Sequence, residues 1–269
     1  MAHVVYDNFY LSNEVEDQFD SHLDLMRFCT VDRTLEGTAG MKRLVNVYTA
    51  TNGTEKLAMG EGNSKSIEVG HTQREYNIEL AQNRFDWHDE EAMKDPMLVP
   101  TGMKHAGTDM FNTVNGDVFG EFEKASLTVE TSAFNFDAFA DAVALIELPE
   151  NEEVEVFGWL SRKAKAEVRK QLEDELKYVE AFARHGYIGT VCGVNLYDKK
   201  NAKDNEICIG TRKAVTAFTK KGTEVEIVSK GTRSEEAANK RKNSAFSRKY
   251  YVVALTNETQ AAKIVKAGA

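Results

Sequence analysis

Few residues in this chain combine the types and spacing that chemistry requires. Gly60 to Lys65, GEGNSK, holds the glycines and lysine of a phosphate loop, in which backbone N–H groups and a cation surround an anion. It lacks the GxxxxGK[ST] spacing, and it sits in a hairpin pattern with no helix after it. His88-Asp89-Glu90-Glu91 could begin a metal site, since imidazole and carboxylate both ligate, but no HExxH motif or second ligand cluster completes it. It reads as a solvated acidic turn. The six histidines, His3, His22, His71, His88, His105 and His185, are scattered, and no serine or cysteine stands in a nucleophile elbow such as GxSxG. Lys163, Lys165 and Arg169 with Glu167 and Glu173 follow helical spacing and fit the solvated face of a helix with i, i+4 pairs. No catalytic, cofactor or metal site is assigned, and nothing here demands an enzyme.

The three cysteines, Cys29, Cys192 and Cys208, form an odd set without CxxC spacing, so they read as thiols and not as a disulfide framework or zinc module. No run approaches the roughly 20 apolar residues of a membrane helix, and the acidic start does not resemble a signal peptide. An intracellular product is expected. The sequons at Asn52 and Asn257 lose their meaning in that setting.

Of the 269 residues, 34 are Lys or Arg and 43 are Asp or Glu, for a net charge of −9. The distribution is uneven: residues 201–269 hold 14 Lys+Arg against 7 Asp+Glu, leaving 20 against 36 in residues 1–200. The long acidic part argues against wrapping nucleic acid, which needs a concentrated basic face. The densest basic run, Lys240 to Lys249, could form such a face but reads as a solvated loop or as a partner for a neighbour's acidic surface.

The elements suggest an α+β class. Asn13 to Phe28 has apolar Val15, Phe19, Leu23 and Met26 at helical spacing, with Asn13 as cap and Glu16 three residues on. Leu44 to Thr49 alternates as a strand, with Val45 and Val47 on one face. Asn52-Gly53 signals a turn, MGEGNS from Met59 is a second flexible stretch, and Ile67 and Val69 lead back. Tyr76, Ile78 and Leu80 alternate on the opposite parity, so a bulge or bend is expected between His71 and Tyr76. Arms of about 14 residues, at roughly 3.3 Å each, would make a ribbon of about 45 Å that is too polar to bury.

A helix is predicted over Thr101 to Ser126, its apolar face running through Met103, Ala106, Met110, Val114, Val118 and Phe122. Gly102, Gly107, Gly116 and Gly120 each cost it about 1 kcal/mol, so it requires packing. A second helix is expected over Asn135 to Glu147, a strand over Glu153 to Trp159, and a third helix capped by Ser161. HGYIGTVCGVNLYDKK reads as one glycine-punctuated strand. Further strands are expected at Ile207–Ile209, Ala214–Phe218, Glu224–Val228 and Tyr250–Leu255. Elements contributed from both ends of the chain suggest two intertwined α+β lobes.

This order, with YNIELAQNRFDWHDEEAMKD, FDAFADAVALI, VEVFGWLSRKAKAEVRKQL, GYIGTVCGVNLYDKK, AVTAFTKKGTEVEI and KYYVVALTNETQAAKI in sequence, resembles the major capsid proteins of tailed bacteriophages, the Hong Kong 97 (HK97) type. The resemblance covers most of the chain. It implies an N-terminal arm at 1–43 and an extended loop at 44–80. It also implies a peripheral domain with spine helix from 81–129 and 206–269, and an axial domain at 130–205. In that family the loop lies across the neighbouring subunit, so Asn52, Gly53, Lys56, Glu61, Lys65 and Arg74 are implied intersubunit contacts.

The implied function is a structural shell protein that self-assembles into hexamers and pentamers around double-stranded DNA, in a virion assembled in the host bacterial cytoplasm. A portal is an implied partner. A chain starting at Met1 does not look trimmed, and an arm of about 40 residues is short for a fused scaffold. A separate scaffolding protein is therefore expected, with the acidic 1–32 segment and the basic tail as contacts. No lysine, asparagine and glutamate set for a covalent cross-link is matched. The alternatives are an encapsulin-like compartment with protein cargo, or a small binding protein or unrecognised enzyme whose hairpin closes over a ligand.

Overall fold

A computed structural model describes residues 24–148, 153–171, 187–229 and 235–267. Asp24 is extended and accepts a hydrogen bond from the Met26 N–H, opening a single 3-10 turn, Leu25–Phe28. The helix expected over Asn13 to Phe28 therefore does not run through its last five residues, because an extended cap interrupts it; its earlier part lies outside the described residues. Strand β1 (Thr30–Asp32) leads to a ribbon of β2 (Lys42–Ala50) and β3 (Val69–Asn77). Next come β4 (Glu79–His88), helix α1 (Asp89–Lys94) and helix α2 (Leu98–Glu123). The acidic turn expected at His88–Glu91 is the start of α1, where the Glu91 carboxylate accepts the His88 N–H at 2.9 Å in a capping box.

Helix α2 is continuous for 26 residues, about 39 Å. It buries Met103, Met110, Val114, Val118 and Phe122, and adds Phe111, Asn115 and Phe119 to the predicted stripe. Its glycines have different reasons. A Cβ on Gly102 would stand 2.4 Å from the Phe85 ring, so glycine lets β4 approach there, whereas Gly116 and Gly120 face open space.

The middle of the chain supplies β5 (Leu127–Thr131), α3 (Phe136–Leu145), β6 (Val156–Leu160), α4 (Arg162–Gln171), β7 (Tyr187–Val191), β8 (Val194–Asp198) and β9 (Glu206–Thr211). Asn135 caps α3 through the Ala138 N–H at 3.1 Å, and Ser161 Oγ caps α4 through the Ala164 N–H at 3.2 Å. The glycine-punctuated stretch is a hairpin, not one strand, because Cys192 (φ 49°) and Gly193 (φ 79°) reverse the chain between β7 and β8.

The C-terminal part forms β10 (Val215–Val228), α5 (Glu235–Asn239), β11 (Lys242–Leu255) and β12 (Ala261–Lys266). Two short strands expected at Ala214–Phe218 and Glu224–Val228 are one 14-residue strand, whose register shifts around Thr219 to Glu224 keep it paired with β11.

A six-stranded sheet, ordered β5-β12-β9-β6-β8-β7, mixes parallel and antiparallel pairs. A four-stranded sheet, ordered β1-β10-β11-β4, does the same. Strand β6 is buried at every position, which is why its apparent alternation does not mark one wet face. Trp159, fully buried, packs on Phe122 with ring centroids 4.5 Å apart and thereby joins α2 to the larger sheet. Removing such a ring typically costs about 3–5 kcal/mol. The class is α+β, as expected.

The basic run Lys240–Lys249 is not a loop. It begins in a turn at Lys240-Arg241, continues along β11 and meets acidic partners within its own chain: Arg241 on Glu90, Lys242 on Asp86 at 2.8 Å, and Arg248 on Glu226 at 2.6 Å. Arg84, Ser244 and Lys242 surround Asp86. Burial alone would raise its pKa, but their hydrogen bonds outweigh burial and hold the carboxyl at about 2.

Candidate intersubunit surface

The ribbon is the part of the fold least explained by its own core. Its ladder runs in unbroken register from Lys42↔Asn77 to Ala50↔Val69. The bulge expected between His71 and Tyr76 is absent; the change of parity falls at Ile78, which is buried and donates its N–H to the Met41 carbonyl at 2.7 Å. Beyond the base neither ribbon face is buried, so the alternation of Ile67 and Val69 carries no facing information there. The paired arms are 9 residues each, about 30 Å, and shorter than expected.

Directly opposed residues of an antiparallel pair share a face. One face carries Arg43, Val45, Arg74 and Tyr76, and its base turns toward this chain. Tyr76 stacks on Phe218 at 5.1 Å, Arg43 pairs with Asp32 at 3.2 Å, and Arg74 pairs with Glu258 at 3.2 Å. The opposite face carries Leu44, Glu75, Tyr48 and Val69. Leu44, Tyr48 and Val69 are 51%, 67% and 65% exposed there. That apolar face escaped the sequence reading, although strict alternation of Leu44, Asn46 and Tyr48 against Val45 and Val47 was its signal.

Past the ladder, the Thr51 N–H donates to the Glu68 carbonyl at 3.0 Å, and residues 52–67 then form an irregular tip. The chain does not turn at Asn52-Gly53. It passes straight through, with Gly53 covered by Ile67, whose backbone N would lie 2.9 Å from an added Cβ. The reversal comes at Met59-Gly60, where Gly60 takes φ +93° and the Glu61 N–H returns to the Ala58 carbonyl at 3.1 Å.

The six contacts implied from sequence fall in two places. Asn52, Gly53, Lys56, Glu61 and Lys65 lie together in the tip, whereas Arg74 lies near the base and is paired within its own chain. The tip is organised by a residue the sequence reading passed over, Glu55. Its carboxylate accepts from the Ser64 N–H and hydroxyl, both at 2.8 Å, and these bonds lower its pKa. Lys65 stands 3.9 Å away. Met59 is fully exposed at the apex.

Other candidate groups are held in structural roles. His88 Nδ1 meets the Lys240 carbonyl at 2.9 Å, Asn243 donates to Asp89 at 2.8 Å, and Arg241 pairs with Glu90. Among the described residues, no group of three or more metal-capable side chains converges. Cys29 and Cys208 are free and buried, and burial pushes both thiols up to about 12. Among the described residues, no helix is long and apolar enough to cross a membrane.

The chain is similar in fold to solved capsid shells. The bacteriophage PhiM1 mature capsid aligns with a TM-score of 0.67 at 10% identity, over 92% of this chain and 88% of that one. The chain has the HK97-type capsid fold. A Mycobacterium phage Che8 structure shares it at TM-score 0.62 and 15% identity, over 89% of this chain and 90% of that one. So does the holo-SrpI encapsulin complex from Synechococcus elongatus PCC 7942, at TM-score 0.62 and 14% identity, over 90% and 86%. No protein-family model matches the chain, and no curated protein matches it in sequence. The similarity extends over about nine-tenths of this chain and of each of these structures.

Proposed function

We propose that this chain is the major shell subunit of a tailed bacteriophage, assembling as hexamers and pentamers around double-stranded DNA. The observation that carries this reading is the ribbon, residues 44–80 taken as an extended loop. It has an ordered ladder and an internally bonded tip, yet its outer face exposes Leu44, Tyr48 and Val69. A two-stranded ribbon is marginal alone in water, so a second copy of the chain is the natural support. The role is structural and not enzymatic: the histidine and carboxylates at Asp89–Glu91 are taken up by caps and ion pairs. Within the virion, the portal and a separate scaffolding protein are the proposed partners, and assembly takes place in the bacterial cytoplasm.

The encapsulin-like reading stays open because an encapsulin shares the fold with similar coverage. The ordered sequence segments that resemble phage capsid proteins favour the phage. Expression of the full chain, alone and with its genomic neighbours, tests both by negative-stain microscopy and analysis of contents. Closed shells support the subunit role, and a species that remains near 30 kDa under all conditions overturns it. Particles that take up DNA through a portal support the phage reading, whereas particles that retain a protein cargo support the compartment.

A further inference from the structure

Beside the 3-10 turn lies a groove of about 450 Å³ between the start of the described chain and the β10/β11 pair. Its charged lining is Arg27, Arg33, Arg212 and Lys249 against Asp24 and Glu36, a net +2 (four cations less two carboxylates) on a chain of net −9. Met26 and Val31 add apolar surface. Among the described residues neither Arg27 nor Arg212 makes an ion pair; Arg212 Nε donates only to the Cys29 carbonyl at 3.3 Å. Arg33 reaches Glu36 at 3.8 Å and stays 71% exposed. Of the basic run Lys240–Lys249 only Lys249 lines this groove, whereas Arg241, Lys242 and Arg248 meet carboxylates elsewhere.

Asp24 belongs both to the rim of this groove and to the junction with residues 1–23. Those 23 residues hold Asp7, Glu14, Glu16, Asp17 and Asp20 and no lysine or arginine. We infer that the basic groove is the seat of the chain's own acidic segment, through Glu14, Glu16, Asp17 and Asp20. Asp20 stands four residues before the rim and Glu14 ten, so at roughly 3.4 Å per residue all four carboxylates can reach it. The tether makes the encounter intramolecular and gives it a high effective concentration. A duplex backbone is the poorer occupant: two carboxylates line the groove, and the chain as a whole carries a net charge of −9, where phosphate binding needs an extended basic face. The seat does not depend on whether the shell encloses DNA or protein.

The test is limited proteolysis of the full chain as dissociated subunits. Chymotrypsin has sites within the segment at Tyr6, Phe9, Tyr10 and Phe19. Cleavage there is expected to be slow in dilute buffer and about tenfold faster at 0.5 M salt, where the screening length falls to roughly 4 Å. The combined Arg27→Glu, Arg33→Glu and Arg212→Glu variant is expected to be cut fast at low salt. Adding Glu14→Lys, Glu16→Lys, Asp17→Lys and Asp20→Lys should restore protection. A milder Arg27→Gln, Arg212→Gln variant, with circular dichroism matching the wild type, covers the case in which charge reversal disturbs folding. Cleavage indifferent to salt and to every groove variant overturns the assignment. Protection seen only in assembled shells would move the seat to a neighbouring copy. Loss of binding to a 20-base-pair duplex with unchanged cleavage would make the groove a phosphate site. Either result refutes the inference.

Discussion

Replacing residues 52–66 with a four-residue Gly-Ser turn should separate folding from assembly. Within this segment only Gly53 is buried, and it is buried by Ile67 at the segment's edge. The bonds of the tip, Ser64 to Glu55, Asn63 to the Gly53 carbonyl and Lys65 to Glu55, lie wholly inside the replaced stretch. Their loss therefore leaves no partner orphaned in the body. The Thr51–Glu68 bond at 3.0 Å holds the ends together. Shortening a 15-residue loop to four residues relieves closure entropy by about 1 kcal/mol, from (3/2)RT ln(15/4). Loss of the exposed tip bonds offsets this by a similar amount. The net effect on subunit stability is within about 1 kcal/mol, a shift of no more than about 4 °C in Tm for a chain of this size. Thermal unfolding followed by circular dichroism reads the first half, and negative-stain microscopy of assembly reactions reads the second. Unchanged melting without closed shells is expected. A fall beyond about 10 °C would refute the independence of the tip from the core, and normal shells would refute its intersubunit role.

Two glycines on one helix should respond oppositely. Gly116→Ala, facing open space, is expected to stabilise α2 by up to about 1 kcal/mol, while Gly102→Ala forces the Phe85 ring aside and is expected to cost about 1–3 kcal/mol; the two melting temperatures decide it. The Asp86 carboxyl has its pKa lowered to about 2, so its contribution is complete above the unfolded value near 3.9 and is lost as pH falls toward 2. With its side chain 33% exposed, Asp86→Asn should cost only about 1 kcal/mol at pH 7, and the deficit should vanish in melts near pH 2; a deficit independent of pH would refute this origin. At pH 8 a maleimide should label half-buried Cys192 and spare Cys29 and Cys208 in the native subunit, and mass spectrometry showing rapid modification of the buried pair would contradict their thiol state.

Much of this architecture is written in local pattern. The 3–4 spacing from Met103 to Phe122 dictates a long one-sided helix, and Asn135 and Ser161 mark helix starts because a side-chain oxygen there can satisfy free N–H groups. The ribbon, too, was legible as a segment unable to bury itself. What the sequence could not tell is where strands end and what they meet. The Cys192-Gly193 reversal depends on a non-glycine residue held at positive φ, which composition does not announce. The join of two expected strands into β10 depends on a partner about 30 residues later, whose ladder carries the chain through a bulge. The Asn52-Gly53 pair has strong turn propensity, yet the neighbouring Ile67 backbone and the φ of Gly60 moved the reversal seven residues on. The basic run changed meaning most: as sequence it was five cations seeking a partner, and pairing β11 with β4 and β10 brought Asp86, Glu90 and Glu226 beside it. Local periodicity fixes which face of an element must be buried. Only the assembled sheets decide which charges become neighbours, because those contacts join residues far apart in the chain.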